Sequence, residues 1–301
     1  MRIAISGASG LIGTALRAHL AQAGHEVSTL VRGESAAKNT ISWKPYAGPQ
    51  EQPCDPRQLD GIEAFIHLSG ENVAGGRWTA TQKQRLRDSR LITTGNLVRL
   101  VSEVKPAPRV LLCASAIGYY GERGDEVLTE ESSLGTGFLP ELCSAWEQEA
   151  QVASAKGIRV VNLRFALVLS RDGGPLAKML LPFKLGIGGR LASGKQYMSW
   201  IAIDDAVRAV EYALITENVR GPVNITAPEP VTNRDFTRAL GHALHRPTIF
   251  PVPGFALKLL LGEMAEALLA GARVAPSKLS AAGFEFQYPK LSEALEAVMK
   301  K

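Results

Sequence analysis

A glycine-spaced turn near the N-terminus constrains the fold more than any other part of the chain. An apolar run at residues 3–5 leads into this turn, and a helical pattern follows at residues 14–23. The turn has the spacing Gly-x-x-Gly-x-x-Gly, with Gly7, Gly10 and Gly13. Glycines let the backbone approach a pyrophosphate closely, and the first N–H groups of the helix then point at the phosphates. The order of strand, glycine turn and helix therefore predicts a dinucleotide-binding site.

The residue at the end of the second strand indicates which dinucleotide is bound. An apolar strand follows the helix stop at Gly24, so residues 3–32 are predicted to form a β-α-β unit. At the end of that strand, an acid would accept from a ribose 2′-hydroxyl, whereas an arginine accommodates a 2′-phosphate. This chain has Arg32 there. The alternative is a solvated arginine at a strand end, but the pattern favours NADP over NAD.

Alternating strands and helices predict an α/β fold. Further strands are predicted at residues 40–43, 64–68, 109–113 and 159–165, with helices at about 81–104 and 139–155. Continuous apolar strands separated by helices are typical of a parallel sheet covered on both faces. We therefore predict a Rossmann-type doubly wound parallel sheet.

The pattern loosens after about residue 170, where glycines become frequent. We predict an NADP-binding domain over residues 1–168, completed by segments around 200–226, and a smaller C-terminal substrate lobe over residues 169–301. Ligands of such sheets lie outside the carboxyl ends of the strands. The substrate region is accordingly expected to involve residues 70–80, 115–121 and 170–200.

Composition excludes several classes of function. The net charge of +5 is spread without a long block of like charges, so nucleic-acid binding is not indicated. The three cysteines are far apart and the five histidines form no ligand spacing, so we expect reduced thiols, no metal site and a cytoplasmic protein. The apolar residues 255–269 are interrupted by charges, which predicts an amphipathic helix packed on its own protein rather than a membrane segment.

Several segments together resemble the extended short-chain dehydrogenase/reductase superfamily, which includes nucleotide-sugar epimerases, dehydratases and reductases. The matching segments are residues 7–13, 67–70, 120–121, 163–165, 200–205 and 221–225. Residues 70–72, 77–78, 89–90, 118–121, 146–147 and 182–189 are similar to one atypical branch. Members of that branch are labelled sugar-nucleotide epimerases, carry a C-terminal domain of unknown function, and include proteins linked by name to cell or plastid division.

The resemblance adds residues to the expected cofactor site. In the family, the end of the fourth strand approaches the adenosine and pyrophosphate, and a polar residue on the next helix faces the phosphates or ribose. Arg90 occupies that helix position, although a solvated helix charge is the alternative. The predicted cofactor-binding residues are Gly7, Ser9, Gly10, Leu11, Ile12, Gly13, Arg32, Leu68, Ser69, Gly70 and Arg90.

The usual catalytic pair of the superfamily is missing from this chain. Relatives use Tyr-x-x-x-Lys, in which the lysine charge lowers the pKa of the tyrosine so that it can exchange a proton with the substrate. The corresponding helix, residues 138–147, contains no tyrosine and no lysine. Depending on the register, the two positions hold Glu141 and Ala145, or Leu142 and Trp146.

The serine that usually accompanies this pair is also displaced, because its position holds Ala116 and Ser115 comes one residue earlier. The candidates for a replacement proton relay are Ser115, Tyr119 and Tyr120. Tyrosines in such loops often only pack and hydrogen-bond, which is the alternative for both of them. The candidates in the substrate lobe are Glu71, Arg77 and Trp200, of which the first two could instead form a structural ion pair.

Two functions remain open at this point. The first is an NADP-dependent oxidoreductase or epimerase that acts on a polar, hydroxylated small molecule through a non-standard proton relay. The second is a regulatory or redox-sensing protein that binds NADPH without turnover and acts in processes such as cell division. We expect a small-molecule ligand, no nucleic acid and no membrane, and we allow for a homodimer.

Overall fold

The computed structural model describes residues 1–35 and 37–300 of the chain. Thirteen strands lie in these residues: β1 (Arg2–Ser6), β2 (Glu26–Arg32), β3 (Thr40–Trp43), β4 (Ala64–His67), β5 (Val110–Ala116), β6 (Val127–Leu128), β7 (Arg159–Phe165), β8 (Leu167–Leu169), β9 (Tyr197–Met198), β10 (Trp200–Ala202), β11 (Gly221–Ile225), β12 (Val231–Thr232) and β13 (Arg273–Val274).

The same residues contain ten α-helices: α1 (Leu11–Gln22), α2 (Ala80–Val101), α3 (Phe138–Gln151), α4 (Gly174–Lys184), α5 (Ile203–Ile215), α6 (Asn233–Ala243), α7 (Gly254–Leu261), α8 (Met264–Leu269), α9 (Ser277–Ala281) and α10 (Leu291–Lys300). Short 3₁₀ turns occur at Pro56–Leu59, Ile117–Tyr120 and Val152–Lys156.

Seven parallel strands form the central sheet in the order β11-β7-β5-β4-β1-β2-β3. Right-handed crossovers place α1 on one face of such a sheet and α2 and α3 on the other. The strands are continuous apolar runs because both faces are covered; all four residues of β4 are buried. The predicted Rossmann-type doubly wound fold is therefore confirmed, and the carboxyl ends of the strands lie at a single edge.

The C-terminal part of the chain contributes both to the sheet and to a separate core. β11 pairs with β7 as the last strand of the sheet. A second apolar cluster gathers side chains from α4, α6 and α10 around the buried Trp200 and Phe236. This cluster is a second core, separate from the apolar cluster around the central sheet.

Residues 255–269 form two helices rather than the single predicted helix. Gly262 ends α7 with φ +61°, a left-handed conformation that glycine adopts without strain, and α8 begins at Met264. Met264 packs into a cluster with Trp78 and Leu142, so α8 is anchored on the Rossmann domain. Within the described part of the chain, the helices are all too short or too polar to span a bilayer.

Candidate active site

The glycine turn between β1 and α1 is packed so closely that two of its glycines have no room for a side chain. Gly7 has φ +73°, and a Cβ on it would lie 2.6 Å from the carbonyl carbon of Leu68. A Cβ on Gly13 would lie 2.3 Å from the carbonyl oxygen of Gly7. Both contacts are far shorter than van der Waals distance. These two glycines therefore let β1, α1 and the end of β4 approach each other.

Gly10 has a different role, because its missing side chain leaves open space. A Cβ there would meet only the carbonyl oxygen of Gly7, at 3.4 Å. Gly10 is the N-cap of α1 and no side chain caps the helix there. The first N–H groups of a helix have no partner within it, so those of Leu11 and Ile12 are donors for an anion. The exposed Ser9 and Gly10 and this helix start fit a pyrophosphate.

Arg32 is exposed at the end of β2, where it pairs in register with Trp43 of β3. Within residues 1–35 and 37–300, its guanidinium has no hydrogen-bond or ion-pair partner. An unpaired arginine beside the glycine turn fits the 2′-phosphate of NADP.

Leu68, Ser69 and Gly70 follow β4; the first two lie against the glycine turn, and Arg90 is buried beside Gly70. Its Nη1 donates to Leu86 O at 3.0 Å and its Nη2 donates to Glu71 O at 3.1 Å. Burial lowers the pKa of Arg90. Because both terminal nitrogens bond protein carbonyls, Arg90 supports the Gly70–Glu71 turn, and its expected contact with the cofactor stays a prediction.

His67, at the end of β4, is fully buried beneath the same edge. Its Nδ1 lies 2.5 Å from the hydroxyl of Ser6, and its Nε2 lies 3.4 Å from that of Thr93. Burial lowers the pKa of His67 from the usual 6.5 to about 3. The histidine is therefore neutral in the folded protein throughout the physiological range.

Acidification should reveal this buried histidine as a loss of stability. Below about pH 6.5 the unfolded chain binds a proton at His67 and the folded protein does not, so stability falls by about 1.4 kcal/mol per pH unit. We expect His67→Asn to be less stable than the wild type at every pH. Between pH 6.5 and 5, however, its free energy of unfolding should fall by about 2 kcal/mol less than that of the wild type. Urea unfolding at both pH values measures this, and equal declines in the two proteins would contradict it.

A buried polar network occupies the carboxyl ends of β5, β7 and β11. Ser115, Arg164 and Asn224 stand in one register row across these three adjacent strands. Ser115 Oγ donates to Glu147 Oε1 at 2.7 Å. Arg164 donates to both carboxylate oxygens of Glu147, through Nε at 2.7 Å and Nη2 at 2.8 Å. The bidentate pair is nearly buried, with side-chain exposures of 3% for Arg164 and 11% for Glu147.

The network settles which residues of α3 face the end of β5. Glu147 is bonded to Ser115, and Cys143, one turn earlier, lies beside Gly118. Neither register expected from the sequence is adopted: Leu142 packs against Trp78 and Leu86, and Trp146 donates to Thr94 Oγ1 at 2.9 Å. Burial raises the pKa of the Cys143 thiol to about 12, so it stays protonated.

The two adjacent tyrosines differ in environment. Tyr120 is fully buried; its hydroxyl accepts from Arg164 Nη1 at 3.0 Å and donates to Asn224 Oδ1 at 2.7 Å. Burial raises the pKa of Tyr120 to about 12. Tyr119 is half-buried, and its ring centre lies 3.5 Å from Cζ of Arg164. Tyr120 is thus a structural member of the network, whereas Tyr119 lies at its margin.

Asn224 ties the network to the C-terminal segment. Its Nδ2 donates to Ala275 O at 2.9 Å, and its backbone N–H donates to Glu130 Oε1 at 3.0 Å. The same carboxylate accepts the backbone N–H of Lys278. These bonds thus join the end of β11 to residues 130, 275 and 278.

The three substrate-lobe candidates do not come together. Glu71 is exposed, and no ion pair joins it to Arg77 in the described residues. Arg77 instead donates to Leu259 O and Leu260 O at the end of α7. Trp200 is completely buried and donates from Nε1 to Glu229 O at 3.0 Å. Trp200 is therefore a core residue of the lobe, out of reach of a ligand, and Arg77 holds α7 against the 70–79 loop.

Glu147 and Arg164 lie at the centre of this site, although neither is among the residues predicted from the sequence. One signal could have found Arg164: it is a charged residue at the penultimate position of the buried strand β7. A charge in a buried strand needs a partner. No local pattern identifies Glu147 as that partner.

Comparison with known proteins agrees with the Rossmann-type fold. A model of the NAD dependent epimerase/dehydratase family matches residues 3–226, and a model of a domain of unknown function, DUF1731, matches residues 252–298. The chain is 45% identical over 294 residues to Epimerase family protein Mb2239 of Mycobacterium bovis, which covers 97% of this chain and 96% of that protein. The predicted resemblance to an epimerase branch with such a C-terminal domain is confirmed.

Two solved structures are similar over nearly the whole chain. The human epimerase family protein SDR39U1 (isoform 2), crystallised with NADPH, is 32% identical with a TM-score of 0.91, covering 100% of this chain and 99% of that one. The nucleoside-diphosphate sugar epimerase from Corynebacterium glutamicum is 35% identical with a TM-score of 0.81, covering 98% of this chain and 57% of that one.

Proposed function

Because this chain belongs to the NAD dependent epimerase/dehydratase family, we propose that it binds NADPH and acts as an oxidoreductase or epimerase on a polar small molecule that carries a hydroxyl or carbonyl group. Its proton relay does not use the Tyr-x-x-x-Lys pair, which the chain lacks. The human relative crystallised with NADPH supports this choice of cofactor. The exposed, unpaired Arg32 supports it independently.

One observation carries the proposal of catalysis: the buried Ser115–Glu147–Arg164 network at the carboxyl ends of β5 and β7. Burying an ion pair brings little or no net stability compared with apolar packing, so fold stability does not explain its presence. Its position is the one at which sheets of this type bind their ligands. A polar, preorganised site in that place is what acid–base chemistry on a substrate oxygen requires.

Different residues of the site would bind the cofactor and the substrate. NADPH, when bound, supplies a hydride. The helix start after Gly10 would hold its pyrophosphate, Arg32 its 2′-phosphate, and the Leu68–Gly70 turn would border its adenosine half. Ser115 donates its own proton to Glu147, so its lone pairs are left to accept a bond from a substrate hydroxyl.

Cofactor preference tests the first part of the proposal. A hydrogen bond to a charged group contributes about 1.5–3 kcal/mol, so we expect Arg32→Ala to weaken NADPH binding by about tenfold or more. NADH affinity should not change, because NADH has no 2′-phosphate. Arg238→Ala is the control, because it also removes one positive charge but does so on α6, away from the glycine turn. Equal affinities for both cofactors, unchanged in Arg32→Ala, would refute the assignment.

A screen of nucleotide sugars, small aldehydes and ketones tests the second part. We expect the wild-type protein to oxidise NADPH or to form an epimer with at least one of these classes of compound. Ser115→Ala should lose this activity but still bind the cofactor. Glu141→Gln, an exposed change on α3, the helix that carries Glu147, should behave like the wild type. Tight NADPH binding without turnover of any compound would instead favour a regulatory protein that binds the cofactor only.

A further inference from the structure

We propose that Tyr119 and Arg164 together replace the missing Tyr-x-x-x-Lys pair: Tyr119 exchanges the proton with the substrate, and Arg164 supplies the fixed positive charge beside it. This inference rests on the proposed function. It assigns to two elements, the Ile117–Tyr120 turn and β7, the roles that relatives assign to a single helix.

The guanidinium of Arg164 is held in place by hydrogen bonds along its edges, and one of its faces lies against the ring of Tyr119. Two of its nitrogens bind Glu147, and Nη1 binds the hydroxyl of Tyr120. Its Cζ lies 3.5 Å from the ring centre of Tyr119, within cation–π distance. A guanidinium remains charged at any working pH, unlike a buried lysine. The charge beside Tyr119 is therefore permanent and fixed in orientation.

Only one of the two tyrosines beside Arg164 has a hydroxyl that can meet a substrate. Tyr120 already uses its hydroxyl as donor and as acceptor inside the protein. Tyr119 is half-buried, and none of the described residues hydrogen-bonds to its hydroxyl. The edge-to-face contact between the two rings, with centres 5.4 Å apart, keeps Tyr119 over the cation. Tyr119 is thus the phenol with a transferable proton.

The step balances in atoms and charge. As the substrate carbonyl carbon gains a hydride, the electron pair of its C=O bond closes onto oxygen, which takes the proton from Tyr119 Oη. The ring of the phenolate that remains lies on the face of the Arg164 guanidinium, whose charge stabilises the new negative charge. Water returns the proton to Tyr119 after product leaves. The reverse reaction uses the phenolate as base for a substrate hydroxyl.

Nitration by tetranitromethane tests the assignment without requiring turnover, because the reagent reacts with phenolates. Mapping by mass spectrometry compares Tyr119 with the exposed Tyr46 and the buried Tyr120 in one sample. We expect nitration of Tyr119 but not Tyr120, and protection of Tyr119, but not Tyr46, by NADPH. Arg164→Gln should slow nitration of Tyr119 relative to Tyr46, and Arg164→Lys should slow it less.

Turnover provides the second readout. General acid–base catalysis contributes about 10²–10⁴-fold, so Tyr119→Phe should lose about that factor in kcat while the Kd for NADPH is kept. Tyr120→Phe keeps the Tyr119 hydroxyl and should lose less. Two results would overturn this inference and leave the proposed function standing. One is nitration of Tyr119 at a rate that neither NADPH nor substitution of Arg164 changes, and the other is full activity in Tyr119→Phe. Absence of wild-type turnover, with the nitration pattern intact, would instead refute the proposed function and the catalytic role with it.

Discussion

Gly13→Ala should abolish NADPH binding and destabilise the folded protein by about 3 kcal/mol, the upper part of the usual range for overpacking a core. A methyl group on Gly13 would lie 2.3 Å from the carbonyl oxygen of Gly7 and 2.8 Å from Cα of Ala8. Both neighbours are backbone atoms, which cannot rotate away. The turn and the start of α1 would have to separate, and the N–H groups that face the pyrophosphate would move with them.

Gly10→Ala separates the effect on the ligand from the effect on the fold. Its Cβ would be 3.4 Å from Gly7 O and otherwise free, so the protein without cofactor should keep nearly all of its stability. The methyl group would nevertheless stand where the pyrophosphate approaches the helix start, so affinity should fall. Gly48→Ala, at an exposed position with open space around it, is the matched control.

Urea unfolding and titration with NADPH, applied to all three variants, measure these two effects separately. Loss of stability should occur only in Gly13→Ala, and loss of binding in Gly13→Ala and Gly10→Ala. Wild-type affinity in Gly10→Ala would show that the cofactor does not approach this turn. Wild-type stability in Gly13→Ala would show that the packing around Gly7 is looser than described.

Arg164→Met should destabilise the protein by about 3–5 kcal/mol, because it leaves the carboxylate of Glu147 buried without its cation. Glu147→Met should cost a similar amount, since Arg164 would then lack both of its short bonds to a carboxylate. The double variant should be more stable than the sum of the single losses predicts, because neither charge remains unpaired. Urea unfolding of the wild type, the two single variants and the double variant at neutral pH measures this double-mutant cycle.

An exposed ion pair provides the contrast. Arg238→Met removes an arginine that is 75% exposed and 3.7 Å from Asp235, and it should leave the free energy of unfolding almost unchanged. If the losses of the two buried variants simply add in the double variant, Arg164 and Glu147 are not coupled. The network proposed as the catalytic centre would then lack its main support.

Much of the cofactor half of the site could be predicted from the sequence because its determinants are local. A strand, a turn and a helix that follow one another directly bring Gly7, Gly10 and Gly13 together without help from the rest of the chain. Continuous apolar runs between helices likewise specify a parallel sheet, since only burial on both faces tolerates them. Arg32, the last residue of β2, belongs to the same local unit. The absence of tyrosine and lysine from α3 can likewise be read directly from the sequence.

The reaction half of the site depends on the tertiary structure. Ser115, Arg164 and Asn224 meet only because β5, β7 and β11 are neighbours in one register, although residues 115 and 224 belong to distant parts of the chain. The sequence by itself determined that a dinucleotide turn exists and that the usual catalytic pair does not. Strand order and register decided that Arg164 lies against Glu147 and Tyr119, because partners for a buried charge are selected by proximity in space, which no pattern along the chain records.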